Sequence, residues 1–220
     1  MHVIVTAATA KEYEPCLKTF EPTSHLHKIS FFTTGVGMLA TAVSLTSLFL
    51  NEKPDLIIQA GIAGTFDHSS SLGGVFVIRN EIIADMGVEE NNVWKDIFDL
   101  HLQNSNESPF KNKSLPNSHL PKLNLLHLEE ADAITINEIT TDKKRIEQYI
   151  DKYHPVIESM EGAALHYAAA KFDIPFIQLR ALSNYIGERD KTKWKLQEAI
   201  SKLNDVLLNY LEQLKRIKSL

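Results

Sequence analysis

Three polar side chains, Glu12, Glu161 and Asn184, each follow a short apolar run with the composition of a β-strand. A carboxylate can take a proton from water or hold sugar hydroxyls, and an amide both donates and accepts hydrogen bonds. In a parallel sheet, ligands bind outside the carboxyl ends of the strands. We therefore expect these side chains to share one site. The alternative for Glu12, and for Glu14 beside it, is an ordinary surface position.

Each of these residues also has a structural interpretation. Glu161 opens a predicted helix, whose dipole favours a carboxylate whatever the function. Its neighbours are small or apolar, and a partly buried charge needs a partner such as a sugar diol. Asn184 also suits the capping of a turn. Arg180, inside an apolar strand, is expected to pair with a carboxylate and support the fold.

Two glycine-containing segments follow predicted strands. Residues 35–40 (GVGMLA) satisfy G-x-G-x-x-G/A, the pattern of a dinucleotide-binding turn. That pattern also needs an acidic residue at the end of the next strand, which here ends in Gln59 and Ala60. An NAD-binding Rossmann protein is therefore the less favoured alternative. Residues 61–64 predict a loop whose backbone approaches a ligand closely, with a plain turn as the alternative.

Composition and charge exclude several other classes. Only His25 and His27 are close among nine His, and Cys16 is the single Cys, so neither a metal site nor a disulfide framework is expected. The net charge of −5 includes no basic surplus for nucleic acid. No apolar run approaches the roughly 20 residues of a membrane span. The N-terminal segment has no basic leader, and we expect a cytoplasmic protein.

The elements that position these residues alternate between strands and helices. This pattern predicts an α/β fold with a mostly parallel central sheet flanked by helices. We expect one domain, residues 1–220, with a loop excursion at 103–122 that is rich in Asn, Ser, Pro and Lys. The predicted strands are 3–8, 27–34, 56–60, 75–83, 131–139, 156–159 and 174–182, and the predicted helices are 38–51, 142–152, 161–172 and 190–218.

These segments, in this order, resemble the nucleoside phosphorylase/nucleosidase superfamily. The resemblance rests on residues 34–66, on ESMEGAAL (158–165), which is similar to a Met-Glu ribose-binding segment, and on RALSN (180–184) followed by YIGERDKTKW. It covers nearly the whole chain outside 103–122. It implies a nucleoside phosphorylase-like fold, a purine nucleoside substrate, no cofactor, and a homodimer or higher homo-oligomer whose partner lends residues to the substrate's 5′ pocket.

Within the superfamily, the tail SNYIGERD is most similar to the futalosine hydrolases of the alternative menaquinone pathway. Relatives that cleave adenine nucleosides, such as methylthioadenosine/S-adenosylhomocysteine nucleosidase, have Asp where this chain has Asn184. An Asn can donate to both N7 and O6 of hypoxanthine, whereas a protonated Asp suits an exocyclic amine. The resemblance thus implies release of hypoxanthine from futalosine. The alternative is another purine nucleosidase or phosphorylase, of the methylthioadenosine or inosine type.

The nucleophile is a separate question. Phosphorylases of this superfamily usually have an Arg just before the second glycine segment and another in the first. This chain has Gln59 at the former position and neither Arg nor Lys at 33–38. Phosphate would be poorly held without fixed cations, so water is the expected nucleophile.

The resemblance also implies a role for each candidate residue. Glu12 would activate water, with Glu14 as the competing choice. Glu161 would hold the 2′ and 3′ hydroxyls, and Asn184 would stabilise the leaving purine. Arg189 is the candidate for the carboxylate on the 5′ side of futalosine. Apolar residues near 94–102 would serve dimerisation or form a helix of the core. The expected substrate-binding residues are Gly61, Ile62, Ala63, Gly64, Thr135, Ile136, Met160, Ser183 and Arg189.

Overall fold

A computed structural model describes residues 1–21 and 28–217, which alternate between strands and helices. The strands are β1 (His2–Ala7), β2 (Lys28–Thr33), β3 (Leu56–Thr65), β4 (Val75–Ile83), β5 (Gly87–Glu90), β6 (Val93–Asp96), β7 (Leu115–Pro116), β8 (Glu130–Thr135), β9 (Ile157–Ser159) and β10 (Phe176–Tyr185). The helices are α1 (Glu14–Thr19), α2 (Met38–Glu52), α3 (Leu120–Leu123), α4 (Lys143–Tyr153), α5 (Gly162–Phe172) and α6 (Leu196–Leu214). Single 3₁₀ turns cover Ala10–Glu12 and Lys191–Lys193.

The main sheet is mixed and partly closed, which corrects the simple, mostly parallel sheet predicted from the sequence. Strands β2, β1, β3 and β10 are parallel neighbours in that order. Strand β10 also pairs with β4, in antiparallel orientation. Strand β8 lies between β4 and β9 and is parallel to both. Strand β9 pairs antiparallel with the end of β3. Because β3 is ten residues long, its first half pairs with β1 and its end pairs with β9. Strands β3, β10, β4, β8 and β9 thereby form a ring.

Helices cover both faces of the sheet around β1 and β3. Alternate residues of a strand point to opposite faces. Val3 and Val5 of β1 accordingly pack in the cluster that contains α6, while Ile4 packs in the cluster of α2 and α5. The burial of these side chains on both faces explains why the strands read as continuous apolar runs.

The predicted loop at residues 61–64 is instead part of strand β3, which continues to Thr65. Neighbouring side chains fill the space that a Cβ would need there. Arg180 Nη1 lies 2.0 Å from the Cβ position of Gly61, and Ile186 Cδ1 lies 2.4 Å from that of Gly64. These glycines therefore do not form a turn. They allow neighbouring side chains to pack closely against strand β3.

Other segments differ from the prediction in detail. Residues 103–122 include β7 and the first residues of α3, with Leu115 and Leu120 buried. Residues 94–102 form part of β6 and turns, not a helix. The strand predicted at 131–139 ends at Thr135, and the last helix begins at Leu196. Residue 27, where the second strand was predicted to begin, lies outside the described residues. So does residue 218, where the last helix was predicted to end.

Candidate active site

A cavity of about 370 Å³ lies at the carboxyl ends of β1, β9 and β10 and beside the end of β3. Such a volume is typical of small-molecule sites. It is also where ligands bind in sheets with parallel strands. The structure places the following predicted residues in its wall: Glu12, Ile62, Ala63, Gly64, Met160, Glu161, Ser183, Asn184 and Arg189.

The structure does not bring Gly61, Thr135 and Ile136 to the cavity. The guanidinium of Arg180 occupies the space next to Gly61. Thr135 is fully buried, where its hydroxyl donates to Glu81 Oε2 (2.8 Å) and accepts from the Ala163 N–H (2.8 Å). Ile136 packs in a separate apolar cluster with Ala84, Ile134 and Tyr149. These residues support the fold around the cavity.

Glu12 is 8% exposed, and both of its carboxylate oxygens are engaged. Oε2 accepts from the Thr9 N–H (2.9 Å), which belongs to the capping box of the 3₁₀ turn, and also from the Thr9 hydroxyl (3.1 Å). Oε1 accepts from the Ile62 N–H (3.2 Å). Burial raises the pKa of Glu12, while the Thr9 bond and the charge of Arg180 partly offset that rise. A raised pKa suits a base that works near neutral pH.

Glu14 has a different environment. Its carboxylate is half-exposed and pairs with Lys18 at 2.7 Å on the outside of α1. That hydrogen bond lowers the pKa of Glu14, which makes it a weaker base. The geometry therefore favours Glu12 over Glu14 for the activation of water.

Glu161 is the N-cap of α5, and its Oε1 accepts from the Gly37 N–H at 2.9 Å. Gly37 has a φ of 89°, a left-handed conformation that glycine adopts readily. The first glycine segment thus positions a carboxylate from another part of the chain. This contact gives residues 35–40 a role that needs no dinucleotide.

Asn184 follows a bulge in β10 at residues 182–184. Its Oδ1 lies 2.8 Å from the Ser183 hydroxyl, and its Nδ2 donates to the Tyr185 carbonyl at 3.2 Å. The Ser183 hydroxyl also lies 3.1 Å from the Ala63 carbonyl, so its single proton is shared between two acceptors. Because the Tyr185 carbonyl can only accept, the nitrogen end of the amide lies beside it, and the second N–H of Nδ2 remains for a ligand. This orientation suits an acceptor atom of a purine.

A buried polar layer behind the cavity was missed by sequence reasoning. Arg180 Nη2 donates to Gln59 Oε1 at 2.7 Å, so its hydrogen-bond partner is an amide and not the expected carboxylate. Glu81 accepts from Gln178 Nε2 at 2.7 Å, and burial raises the pKa of Glu81 to about 7. The signal in the sequence was the presence of Gln and Arg at interior positions of apolar strands.

The cavity also has two cationic side chains, Lys11 and Arg189, of which only Arg189 was predicted. The guanidinium carbon of Arg189 lies 5.5 Å from the ring centre of Trp194. Apolar residues at the start of α6 and before it, Trp194, Leu196 and Ile200, line the same cavity. A ligand with an aromatic acid can therefore find both a cation and apolar contacts here.

Within 1–21 and 28–217, no group of three or more His, Cys, Asp or Glu side chains has an arrangement that could hold a metal ion. The pair His25 and His27 lies outside those ranges. In the same ranges, no helix is both long and apolar enough to cross a membrane.

Known proteins share this sequence pattern and fold. The chain matches the phosphorylase superfamily over residues 6–212. It is 27% identical to a futalosine hydrolase of Streptomyces coelicolor, over 94% of each chain. It is 24% identical to a 5′-methylthioadenosine/S-adenosylhomocysteine nucleosidase of Bacillus velezensis, over 85% of this chain and 82% of that protein. The solved futalosine hydrolase of Helicobacter pylori has the same fold, with a TM-score of 0.79 at 16% identity, covering 97% of this chain and 98% of that one.

Proposed function

The chain belongs to the phosphorylase superfamily, and we propose that it is an N-glycosyl hydrolase that releases the base from a purine nucleoside. The observation that carries this proposal is the placement of Glu12, Glu161 and Asn184 around one cavity. Two carboxylates and an amide, at the carboxyl ends of three different strands, provide what glycosidic cleavage requires: a base for water, an acceptor for the sugar hydroxyls and a donor for the leaving group.

The reaction passes through a sugar with oxocarbenium character, which each residue stabilises differently. Glu161 accepts hydrogen bonds from the 2′ and 3′ hydroxyls, and its charge favours the developing cation. Asn184 donates to the purine as the purine gains electrons from the breaking bond to C1′. Glu12 takes the proton from the water that attacks C1′, an assistance that contributes roughly 10²–10⁴-fold.

We place futalosine first among the substrates and hypoxanthine as the released base, which assigns the enzyme to menaquinone biosynthesis. Three observations support this choice. Two relatives, matched over 94% and 79% of this chain, are named futalosine hydrolases. The free N–H of the Asn184 amide suits the acceptor edge of a 6-oxopurine, where N7 and O6 are neighbours. Lys11 and Arg189, beside Trp194, suit the carboxyphenyl group on the 5′ side.

Water is the proposed nucleophile. The segment at 33–38 contributes no cation, and Gln59 is buried beneath the site, where it accepts from Arg180. The two cations of the cavity wall, Lys11 and Arg189, are both exposed. A phosphate dianion needs fixed, desolvated donors to be held at C1′, and these side chains do not provide them.

The test is release of base from futalosine, inosine and methylthioadenosine, each with and without phosphate. We expect futalosine to be cleaved fastest, at a rate that phosphate does not change. Release that requires phosphate would contradict hydrolysis. Preference for methylthioadenosine would favour the second candidate, a nucleosidase of the methylthioadenosine type. Binding of NAD without release of base would support a Rossmann protein instead.

We also propose a cytoplasmic homodimer. The outer face of α2 exposes Leu39 (78%) and Val43 (63%), one helical turn apart, together with Leu50 (63%). Val36, also exposed, stands at the start of this face and lines the cavity. A second copy packed on this face would reach the cavity's edge. The buried free thiol of Cys16 fits a reducing compartment.

A further inference from the structure

Glu81 is a fully buried acid that takes no part in the proposed reaction. It lies beneath the start of α5, where Gly162 packs directly against its carboxyl group. Glu81 Oε2 accepts from the Thr135 hydroxyl (2.8 Å), and that hydroxyl accepts from the Ala163 N–H (2.8 Å). Ala163 lies in the first turn of α5, two residues after Glu161. A single hydroxyl therefore connects Glu81 to the turn that carries Glu161.

The other oxygen of Glu81 leads towards His166. Glu81 Oε1 accepts from Gln178 Nε2 at 2.7 Å. His166 Nδ1 lies 2.7 Å from the Leu115 carbonyl, which can only accept, so Nδ1 carries the hydrogen of the neutral imidazole. Burial lowers the pKa of His166 to about 4, so the ring is neutral near pH 7. Its Nε2 is then an acceptor.

Two buried acceptors between Glu81 and Leu115 have no donor. Gln178 Oε1 and His166 Nε2 are both buried, and neither has a hydrogen-bond partner among the described residues. The two side chains lie close together, because the Gln178 side chain partly offsets the lowering of the His166 pKa. Two acceptors cannot bond to each other, and an unpaired buried acceptor costs free energy. With an ionised Glu81, this buried network therefore lacks a donor.

One proton on Glu81 supplies what the network lacks. A protonated carboxyl group donates one hydrogen bond. The two ends of an amide have nearly the same shape, so Gln178 can turn over in place. Gln178 Oε1 then accepts from Glu81, and Gln178 Nε2 donates to His166 Nε2. Both unpaired acceptors gain a donor, and the hydrogen bonds form a chain with one direction: Ala163, Thr135, Glu81, Gln178, His166, Leu115.

We propose that Glu81 is a positioning residue for Glu161, which carries a proton in the active protein and fixes the first turn of α5 through this chain. The inference rests on the proposed function, because it takes Glu161 to hold the ribose. Loss of the proton leaves the two acceptors unpaired again and adds a second negative charge beneath Glu161. Both effects disfavour the position in which Glu161 binds the sugar hydroxyls.

The surroundings of Glu81 place the loss of this proton near neutral pH. Burial raises the pKa of Glu81 to about 7, and the charge of Glu161 adds to the rise. The hydrogen bonds from Gln178 and Thr135 and the charge of Arg180 oppose it. The charged and titratable groups that face Glu81 are Glu161 and His166 on α5 and Arg180 on β10. The chain is therefore complete below about pH 7 and incomplete above it.

The proton can be observed without substrate. Infrared difference spectra between pH 6 and pH 9 should show that the unmodified protein loses the C=O band of a buried, protonated carboxyl group. Glu81→Gln, whose amide takes the place of the neutral acid, should lack this contribution. Subtraction of the two proteins separates Glu81 from the other buried acids, Glu12 and Glu158. Glu147→Gln, on the exposed side of α4, is the matched control and should give the spectrum of the unmodified protein.

The tautomer of His166 gives a second observation on the unmodified protein. Nitrogen NMR should find a proton on Nδ1 and none on Nε2 from pH 6 to pH 9. A proton on Nε2 would supply the missing donor from the imidazole and would overturn the inference, even if Glu81→Gln did not fold.

The role in the reaction is tested by kcat/KM, measured with the nucleoside that the protein cleaves fastest. The ratio of kcat/KM for Glu81→Gln to that for the unmodified protein should rise at least about tenfold from pH 6 to pH 9, because only the unmodified protein loses a proton at this position. Titration of Glu12 affects both proteins and cancels in the ratio. Glu81→Leu, which has a similar volume but no donor, should be at least about tenfold less active than Glu81→Gln at both pH values.

Three results would contradict the assignment of Glu81. They are an infrared difference that is unchanged in Glu81→Gln, a kcat/KM ratio that does not vary with pH, and equal activity of Glu81→Leu and Glu81→Gln. Failure of the proposed function has a different sign, since the unmodified protein would then release no base from any nucleoside. The spectra are measured without substrate and decide the state of Glu81 in either case.

Discussion

The two carboxylates of the site are each fixed by a backbone N–H from a distant part of the chain. Glu12 is bound by Ile62 and Glu161 by Gly37, at sequence separations of 50 and 124 residues. Hydrogen bonds of this kind orient a carboxylate before a ligand arrives, which reduces reorganisation during the reaction. The chemistry therefore depends on a few side chains whose orientation is set by the main chain.

Replacement of Glu12 by Gln tests its role as the base. Gln has nearly the same shape but cannot take a proton from water, so kcat should fall by about 10²–10⁴-fold. Binding of free hypoxanthine, measured by calorimetry, should stay within about threefold because Glu12 does not touch the base in this scheme. Glu14→Gln, on the exposed side of α1, is the matched control. Near-full turnover by Glu12→Gln would show that another group activates the water.

Replacement of Asn184 by Asp tests base selection. An ionised Asp cannot donate to N7 or O6, and a protonated Asp offers one proton beside an acceptor that suits an exocyclic amine. The ratio of kcat/KM for inosine to that for adenosine should fall at least about tenfold. Asn209→Asp, on the exposed surface of α6, controls for the added charge. An equal loss on both nucleosides would contradict the specificity argument.

The sequence predicts well which residues form the site, but it predicts poorly which groups bind their side chains. Glu12, Glu161 and Asn184 were identifiable because each follows a strand, and parallel strand ends converge. Their partners, the N–H groups of Gly37 and Ile62, carry no signal because every residue except Pro has one. Glu158 belongs to the ESMEGAAL segment, but only the strand register shows that it and Asn184 pair with the same residue, Gly64.

Among the elements, the contact of α5 with the sheet depends on a glycine. A Cβ on Gly162 would lie 1.7 Å from Glu81 Oε1 and 2.5 Å from Gln178 Nε2. The helix can therefore begin next to the buried acid only because Gly162 has no side chain. Glu161 directly precedes Gly162, so the same close packing of α5 against the sheet positions Glu161 at the cavity.

Gly162→Ala should accordingly lower the free energy of unfolding by about 1–3 kcal/mol, the usual cost of overpacking. Urea denaturation measures this value, and activity should fall as well because Glu161 moves with the helix. Glu81→Ala removes the atoms that the new methyl group would meet. In a double-mutant cycle the two changes should therefore couple by at least about 1 kcal/mol. Additive effects would show that the strain lies elsewhere.

The sequence located most elements because apolar runs and helical periodicity are local signals. It failed at residues 61–64, where two glycines in a strand look the same as a turn. It also failed at the closure of the sheet, since β9 pairs with β3 through only two residue pairs, Gly64–Glu158 and Thr65–Ile157. A pairing that short leaves no pattern in the sequence, yet it brings Glu158 to the cavity.

In the whole molecule, the cavity and the exposed face of α2 are neighbours. Val36 belongs to the wall of the cavity and continues into the row formed by Leu39, Val43 and Leu50. Large contiguous apolar patches are uncommon on monomeric proteins and often mark an interface. Residues 94–102 are the other candidate interface. There Trp94 stacks with Arg145 and donates to the Tyr153 hydroxyl, while Leu102 is 73% exposed.

A charge introduced on the α2 face or at residues 94–102 tests which of these two surfaces forms the dimer interface. Val43→Glu introduces a charge on the α2 face without touching the cavity, and burial of that charge in an interface would be costly. Sedimentation should show a dimer for the unmodified protein and a monomer for Val43→Glu, with a higher KM if the partner completes the 5′ pocket. Leu102→Glu is the matched control and should remain a dimer. If Leu102→Glu dissociates while Val43→Glu remains a dimer, the interface lies at residues 94–102. If the unmodified protein is a monomer, the proposed dimer is wrong.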